Sequence, residues 1–460
     1  LEGKDGGTLT LSAWRGAVAG QLLGSVAEGP YQRDGRATRA APAALVVGRE
    51  LTSRFYLQGI QLGQVEPQVP LSFQADPLGA PLADLPTTLE LSVPGVRNGG
   101  FGSLRLRAAN VTSSAPTALD LGVAGSFDLL AGAANLDIAL TLPGGTATLA
   151  TLTATDPGGA QTSGDLSLAA GARIDASGVW TNDLSPTQEI GDRVATSGGD
   201  ISLRAARSLT LGHDARLDVS AGARLTSTST GLGRAGSIRL AAGSAVGKSN
   251  FTVDVGSATL AGYDFGSGGS LSLEAPALTV SKTPGTGFSL TPSFFATGGF
   301  GRIAVSSTTG ITVTAGTQLA PRLLNWQFAP GFRAATSGAM AERVAAVAAV
   351  DERVAERLPV NLALAANGGV DGVGDLTVER GAGISLEHGG ALSLRATGSL
   401  LVGASGGAEA ATKRMASPNA YDGRWSVTVI TEKGACDRAS RLSLGIRDGR
   451  IEMGEAMAQI

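Results

Sequence analysis

The octapeptide AGSAVGKS, Ala242 to Ser249, has the glycine and Lys-Ser spacing of a phosphate-binding loop with alanine in the first glycine position. That loop works when a strand precedes it and a helix follows, so that backbone N–H groups and the helix N-terminus face the phosphate. Ile238 to Leu240 supplies the strand. NFTVDVGSATL follows and alternates like a second strand, so the helix is missing and no nucleotide site is expected. GASGG, residues 403 to 407, fits G-x-S-x-G around Ser405, but a nucleophile elbow needs a strand-to-helix turn and a partner histidine, and Gly/Ser turns produce the pattern freely. The two histidines, His213 and His388, sit far apart in turn-like GHDA and EHGG, where a metal would need converging ligands. GGVDGVGD, residues 368 to 375, resembles a calcium-binding nonapeptide, a device that works in tandem copies, and only one imperfect copy is present. Leu217-Asp218-Val219 matches an integrin-recognition tripeptide, and Asp192, Asp200, Asp214 and Asp218 could gather carboxylates on one face. Exposed acidic residues on a repeated face usually serve solubility. No catalytic, cofactor-binding or metal-ligating residue is assigned from these motifs.

The elements that carry these residues follow a period. Ile201/Leu203, Leu209/Leu211 and Leu217/Val219 are pairs spaced by two, each beginning eight residues after the last. The pattern returns at Ile303/Val305 and Ile311/Val313, and at Leu376/Val378, Ile384/Leu386, Leu392/Leu394 and Leu400/Val402. Alternation within a pair makes each a short strand with one buried face, and equal spacing along the chain is an internal repeat. By this register Leu217 and Val219 point inward and Asp218 outward, so LDV cannot act as an extended loop ligand. Strands so short are unstable alone, whereas stacked turns of chain let each pair with its equivalent above and below. Three faces of eight residues give about 24 per turn. The expected fold is all-β: a right-handed parallel β-helix, with an antiparallel β-sandwich array as the alternative.

Two segments depart from the repeat and set the expected boundaries. SGAMAERVAAVAAVDERVAERL, residues 337 to 358, places Met340, Val344, Val347, Val354 and Leu358 at helical spacing, with Ser337 as N-cap and Pro359 after the end, predicting one amphipathic α-helix inserted between β-helix repeats over 1–336 and 359–406. Residues 407–460 hold three of the four methionines and the single cysteine. Trp425/Val427/Val429 and Leu442/Leu444/Ile446 predict a small β-rich antiparallel module there.

Composition narrows the function classes. Glycine is 67 of 460 residues, about twice the ~7% norm, aromatics are 4% and charged residues 16%, the signature of short elements and many turns. A net charge of −3 offers no basic face for nucleic acid. One cysteine, Cys436, excludes an internal disulfide framework and a cysteine zinc site. No apolar run reaches the ~18 residues of a membrane span. The chain opens at Leu1 without a signal peptide, as expected of a piece of a longer protein.

GDISLRAARSLTLGHDARLDVSAGARL, GGFGSLRLRAANVTSS, GSGGSLSLEAPALTV and RGAGISLEHGGALSLRATGSLLVGASGG resemble repeats of large exoproteins of the filamentous haemagglutinin type, over roughly residues 1 to 406. The family's amino-terminal secretion domain is not visible. The resemblance implies a β-helical adhesive fibre, secreted or displayed at the surface of a Gram-negative bacterium. It also implies an outer-membrane two-partner transporter during export, and a ligand on a host or neighbouring cell. A polysaccharide lyase or hydrolase working in a groove of the helix is the alternative, and would need acidic or basic residues converging on adjacent turns. A stalk for an effector module at 407–460 is a third reading.

Overall fold

The computed structural model describes residues 4–26, 40–49, 51, 57–75, 78, 80–113, 115–155, 159–185, 194–243, 253–255, 257–283, 285, 287–348, 350–351, 356–368, 372–386, 390–404, 423–430, 439–447 and 450–453. The chain divides into two compact units, Leu1–Ser405 and Gly406–Ile460.

In the first unit the eight-residue steps carry the chain from one ladder of parallel strands to the next. Ile201 lies in Asp200–Arg204, Leu209 in Leu209–Leu211 and Leu217 in Arg216–Asp218, and each strand pairs with different partners. The first ladder is continuous. Leu9, Leu45, Leu104, Phe127, Ala147, Ile201, Ile238, Leu271, Ile303, Leu362 and Leu392 follow one another in register, every step parallel. A second ladder runs through Val111, Ala134, Leu166, Leu209 and Val253, and a third through Leu119, Leu140, Ile174, Leu217 and Leu260. The long strands Phe101–Ser113 and Ser126–Leu136 cross from the first ladder into the second, and Gly269–Val280 and Phe300–Val313 run from the first ladder into a further parallel one through Leu278, Ile311 and Leu376. Parallel pairing of this extent does not match the antiparallel sandwich.

Inward residues of the three ladders form one apolar cluster from Ala43 to Val378. Burying a leucine or isoleucine contributes roughly 1.5–3 kcal/mol, so each rung of three such pairs outweighs what its short strands could supply alone. The spacing along a ladder is less regular than the expected 24. Ser126 bonds to Ser103, 23 residues away, whereas Ser237 bonds to Asp200 across 37 and Ser208 to Asp165 across 43. The additional residues leave the ladders as loops and side strands, among them Val179–Asn182 and Ala223–Leu225.

The segment expected to be an α-helix is not one. Its described residues form the strand Gly338–Ala339, a 3-10 turn at Met340–Glu342, the strand Val344–Ala348 and the short strands Val350–Asp351 and Glu356–Arg357. Val344–Ala348 pairs antiparallel with Leu324–Phe328, and Gly338–Ala339 pairs antiparallel with Val179 and Trp180. Met340 is buried beside Trp180 and Trp326, with Phe328, Phe332 and Val344 packed around them. Helix propensity differs by under about 1 kcal/mol per residue among Ala, Val and Glu, and an aromatic cluster that buries one face as a strand overrides it.

In the second unit Gly423–Ile430, Ala439–Arg447 and Arg450–Met453 make a three-stranded antiparallel sheet. Among the described residues no helix is long and apolar enough to cross a membrane.

Candidate functional site

A grouping of polar side chains lies where the third ladder ends its strands. Asp120, Asp175 and Asp218 each occupy the last position of a strand. Each carboxylate accepts from the backbone two residues on: Asp120 from Gly122 at 2.8 Å, Asp175 from Ser177 at 2.9 Å, and Asp218 from Ser220 at 2.9 Å. An aspartate that bonds its own backbone two residues later closes a tight turn, so the repeat selects Asp here for geometry. Asp175 also accepts from the Ser177 hydroxyl at 2.6 Å, and the second oxygen of Asp218 accepts from Arg216 Nη2 at 2.7 Å.

This arrangement corrects the expected exposure of Asp218. Leu217 and Val219 are buried as expected, but Asp218 is only 5% exposed. Alternation holds while the strand lasts; at Asp218 the chain turns, the carboxylate folds back over that turn, and Arg216 covers it. The hydrogen bond from Arg216 to Asp218 raises the guanidinium pKa above its ordinary value; partial burial opposes this, and the charges of Asp218 and Asp175 reinforce it. Tyr263 stands beside the pair, its phenol pKa raised mainly by burial and opposed by a backbone hydrogen bond with Gly298. Its amide donates to the Ser220 hydroxyl at 3.1 Å. A cavity of about 280 Å³ next to it is lined by Thr259, Tyr263, Phe294, Thr297 and Phe300.

Chemically, this cluster binds and braces. A general base needs free lone pairs within reach of a substrate proton. The carboxylates of Asp175 and Asp218 are engaged by the turns they close. Arg216, its side chain 45% exposed, still presents donors outward.

Two of the depressions on the described surface adjoin these ladders. A shallow trough of about 580 Å³ crosses the first ladder, where Ser272, Ala304, Ala363 and Ser393 occupy successive outward positions with Arg239, Arg302 and Asn361 at the rim. Arg239 is tied to Glu274 at 3.1 Å. The second, a cleft of about 810 Å³, lies between Val253–Val255 and Phe288–Leu290. An aromatic group holds the Leu324–Ala348 hairpin down. Tyr263 stacks on Trp326 at 5.9 Å, Phe328 on Phe332 at 4.0 Å, and Trp180 meets both phenylalanines edge-on. Trp180 Nε1 donates to the Ala335 carbonyl at 3.1 Å, and the Asn182 amide donates to the Arg333 and Ala335 carbonyls.

The sequence motifs are not brought together. Ala242 is buried and Gly243 has a positive φ of 77°, while Ser244 to Ser249 of the loop-like octapeptide lie outside the described residues, as do Ser405, His388 and Asp192. His213 sits in a turn with Nδ1 2.7 Å from Asp214, both side chains largely exposed, and Asp214 has a φ of 58°. Asp200 accepts from the Ser237 amide and hydroxyl, joining adjacent strands of the first ladder. In GGVDGVGD, Asp375 accepts from the Ser399 amide at 2.7 Å, a link between turns, and residues 369–371 lie outside the described residues. Among the described residues no group of three or more His, Cys, Asp or Glu could hold a metal ion.

Sequence reasoning passed over Arg216, Tyr263 and the aromatic group. A signal was present. In a chain with 4% aromatics, Tyr263/Phe265 and Trp326/Phe328 are each spaced by two, the mark of one aromatic strand face. Compared with known protein families, curated proteins and solved structures, the chain matches none.

Proposed function

We propose that the chain is a structural, adhesive segment of a secreted or surface-displayed bacterial exoprotein, with residues 1 to 405 wound as a right-handed parallel β-helix. The observation that carries this reading is the first ladder, eleven strands paired in parallel one after another over one continuous core. Such a scaffold is quasi-one-dimensional, each turn held by its neighbours, and suits a long stiff stalk. Its outward positions are filled by small and polar residues, as at Ser202, Ser272, Ala304, Ala363 and Ser393. A surface of that kind recognises a partner by shape and many weak contacts rather than through one deep pocket. The sequence resemblance to filamentous haemagglutinin-type exoproteins supports the same reading and adds an outer-membrane two-partner transporter during export.

The test is adhesion by the purified chain to epithelial and bacterial cells and to an array of glycans. Retention above that of a chain with its outward trough residues scrambled is expected, and retention equal to that control rejects the proposal.

A further inference from the structure

Asp264 carries a buried carboxylate with no cation beside it among the described residues. The residue is 3% exposed, and its Oδ1 accepts from the Gly266 and Gly268 amides at 2.8 Å each. No hydrogen bond or ion pair reaches its Oδ2 from the described residues. An ionised carboxylate is costly to take out of water, so buried ones are paired with a cation or bound to a metal. The two amides compensate part of the charge through one oxygen and leave the other open.

A second oxygen without a donor belongs to Asn325. That residue is 7% exposed, its Nδ2 donates to the Gly266 carbonyl at 2.7 Å, and its Oδ1 is buried with no partner. Buried side-chain oxygens nearly always have a donor, so this one calls for an explanation. Turning the amide over gives no relief, since it would set Oδ1 against the Gly266 carbonyl. Gly266 holds both groups, its N–H taking the carboxylate and its C=O the amide. Trp326 N–H donates to the Asp264 carbonyl at 2.8 Å, which fastens the backbone of Leu324–Phe328 along that of the Asp264 turn. One anionic and one neutral oxygen, each short of a partner, are therefore tied to the same residue. A water molecule has protons enough for both, but it leaves the charge of Asp264 uncompensated, whereas a cation answers both deficits.

We propose that Asp264 and Asn325 form a calcium site, with Asp264 Oδ2 and Asn325 Oδ1 as its side-chain ligands and main-chain carbonyls and water completing the shell. Calcium accepts such irregular mixtures of carboxylate, amide, carbonyl and water oxygens, while magnesium demands a near-ideal octahedron. With a single carboxylate the site belongs to the weak class, with a Kd of roughly 0.1–1 mM. Bound there, the ion joins the turn after Thr259–Ala261 of the third ladder to the hairpin strand Leu324–Phe328. The site is independent of the adhesive reading, since it concerns how the hairpin is held to the scaffold.

The experiment uses the full chain, stripped of divalent ions with EGTA and then titrated. Millimolar calcium is expected to raise the thermal unfolding midpoint, and equal magnesium to raise it far less. Terbium, close to calcium in size, reports position, because its emission is sensitised by a neighbouring aromatic ring. Tyr263 and Trp326 adjoin the two ligands in sequence, so exciting them should light bound terbium, and calcium should quench that signal by displacement. Asp264→Asn keeps an acceptor for the Gly266 and Gly268 amides while removing the charge, and should weaken terbium binding at least tenfold. Asp214→Asn, at a largely exposed carboxylate, should bind as the parent does. Asn325→Asp supplies a second carboxylate and should tighten calcium about tenfold. No rise with calcium, the result if the orphan oxygen holds only a water, overturns the proposal. So does an equal rise with magnesium, sensitised emission that survives Asp264→Asn, or calcium affinity unimproved in Asn325→Asp. The parent measurements need no substitution, so they decide the matter even if a variant folds poorly.

Discussion

Replacing Gly199 with alanine tests why the chain carries so much glycine. Gly145, Gly199 and Gly236 each stand just before a strand of the first ladder, and they stack: Asp200 N–H donates to Gly145 O at 3.0 Å and Ser237 N–H to Gly199 O at 3.3 Å. A Cβ on Gly199 would lie 1.7 Å from Gly145 O, against an ordinary contact of 3.4–4 Å. The obstacle is backbone, so relief requires the strands to separate and the Asp200 bond to stretch. Overpacking costs roughly 1–3 kcal/mol and the weakened Asp200 hydrogen bond about 1 more, giving about 3 kcal/mol for Gly199→Ala. Two other glycines separate this cause from the alternatives. Gly171 has a φ of 73° with nothing within 4 Å of its would-be Cβ, so alanine there meets only left-handed strain of about 1–2 kcal/mol. Gly266 has neither constraint, and alanine there should change stability by less than about 1 kcal/mol. Urea unfolding followed by circular dichroism ranks the three variants. Amide exchange in Asp200–Arg204 provides a local measure, useful because stacked repeats can open in stages. If Gly199→Ala costs no more than Gly171→Ala, close stacking is not what selects glycine at the strand entrances.

Leu211 is 0% exposed on the second ladder and Arg204 is exposed on the first, so Leu211→Asp should destabilise by about 4 kcal/mol or more and Arg204→Asp by under about 0.5. Equal urea midpoints for the two variants would mean the inward and outward faces are wrongly assigned. Burial raises the Tyr263 pKa, so the folded chain holds that proton after the unfolded chain releases it near pH 10.0. The stability this contributes is complete below pH 10.0 and is lost as pH rises through the raised value. Tyr263→Phe should accordingly lose less stability than the parent between neutral pH and the alkaline range, and parallel stability profiles would refute the assignment.

The ladders were legible because burial imposes a period that turns cannot hide. Ile201, Leu209 and Leu217 repeat by eight because each step moves the chain to a new ladder whose inward positions must be apolar. The length of a full circuit was not legible in the same way. Only the ladder residues are constrained by stacking, and residues between them can be added wherever a loop leaves the surface, at a closure cost that grows slowly with loop length. The steps of 23 at Ser103 and 43 at Asp165 therefore coexist in one sheet.

The two misread segments fail for a common physical reason. Alternation places Asp218 outside and spacing places 337–358 in a helix; both rules are local. Asp218 is buried because Arg216 folds across it and Tyr263, brought alongside by the third ladder, closes the space. The Ala-rich segment becomes strand because Trp180 and Asn182, over 150 residues upstream, fasten the backbone at Arg333 and Ala335 in an extended path before Val344 is reached. Once the chain is held there, pairing with Leu324–Phe328 buries Met340 and part of Val344, whereas a helix over the same residues would leave the Trp180 face uncovered. Local propensity sets only the starting preference. What decides is which conformation covers apolar surface that the rest of the chain has already built, and in this protein that surface is assembled from residues too distant in sequence for any window to see.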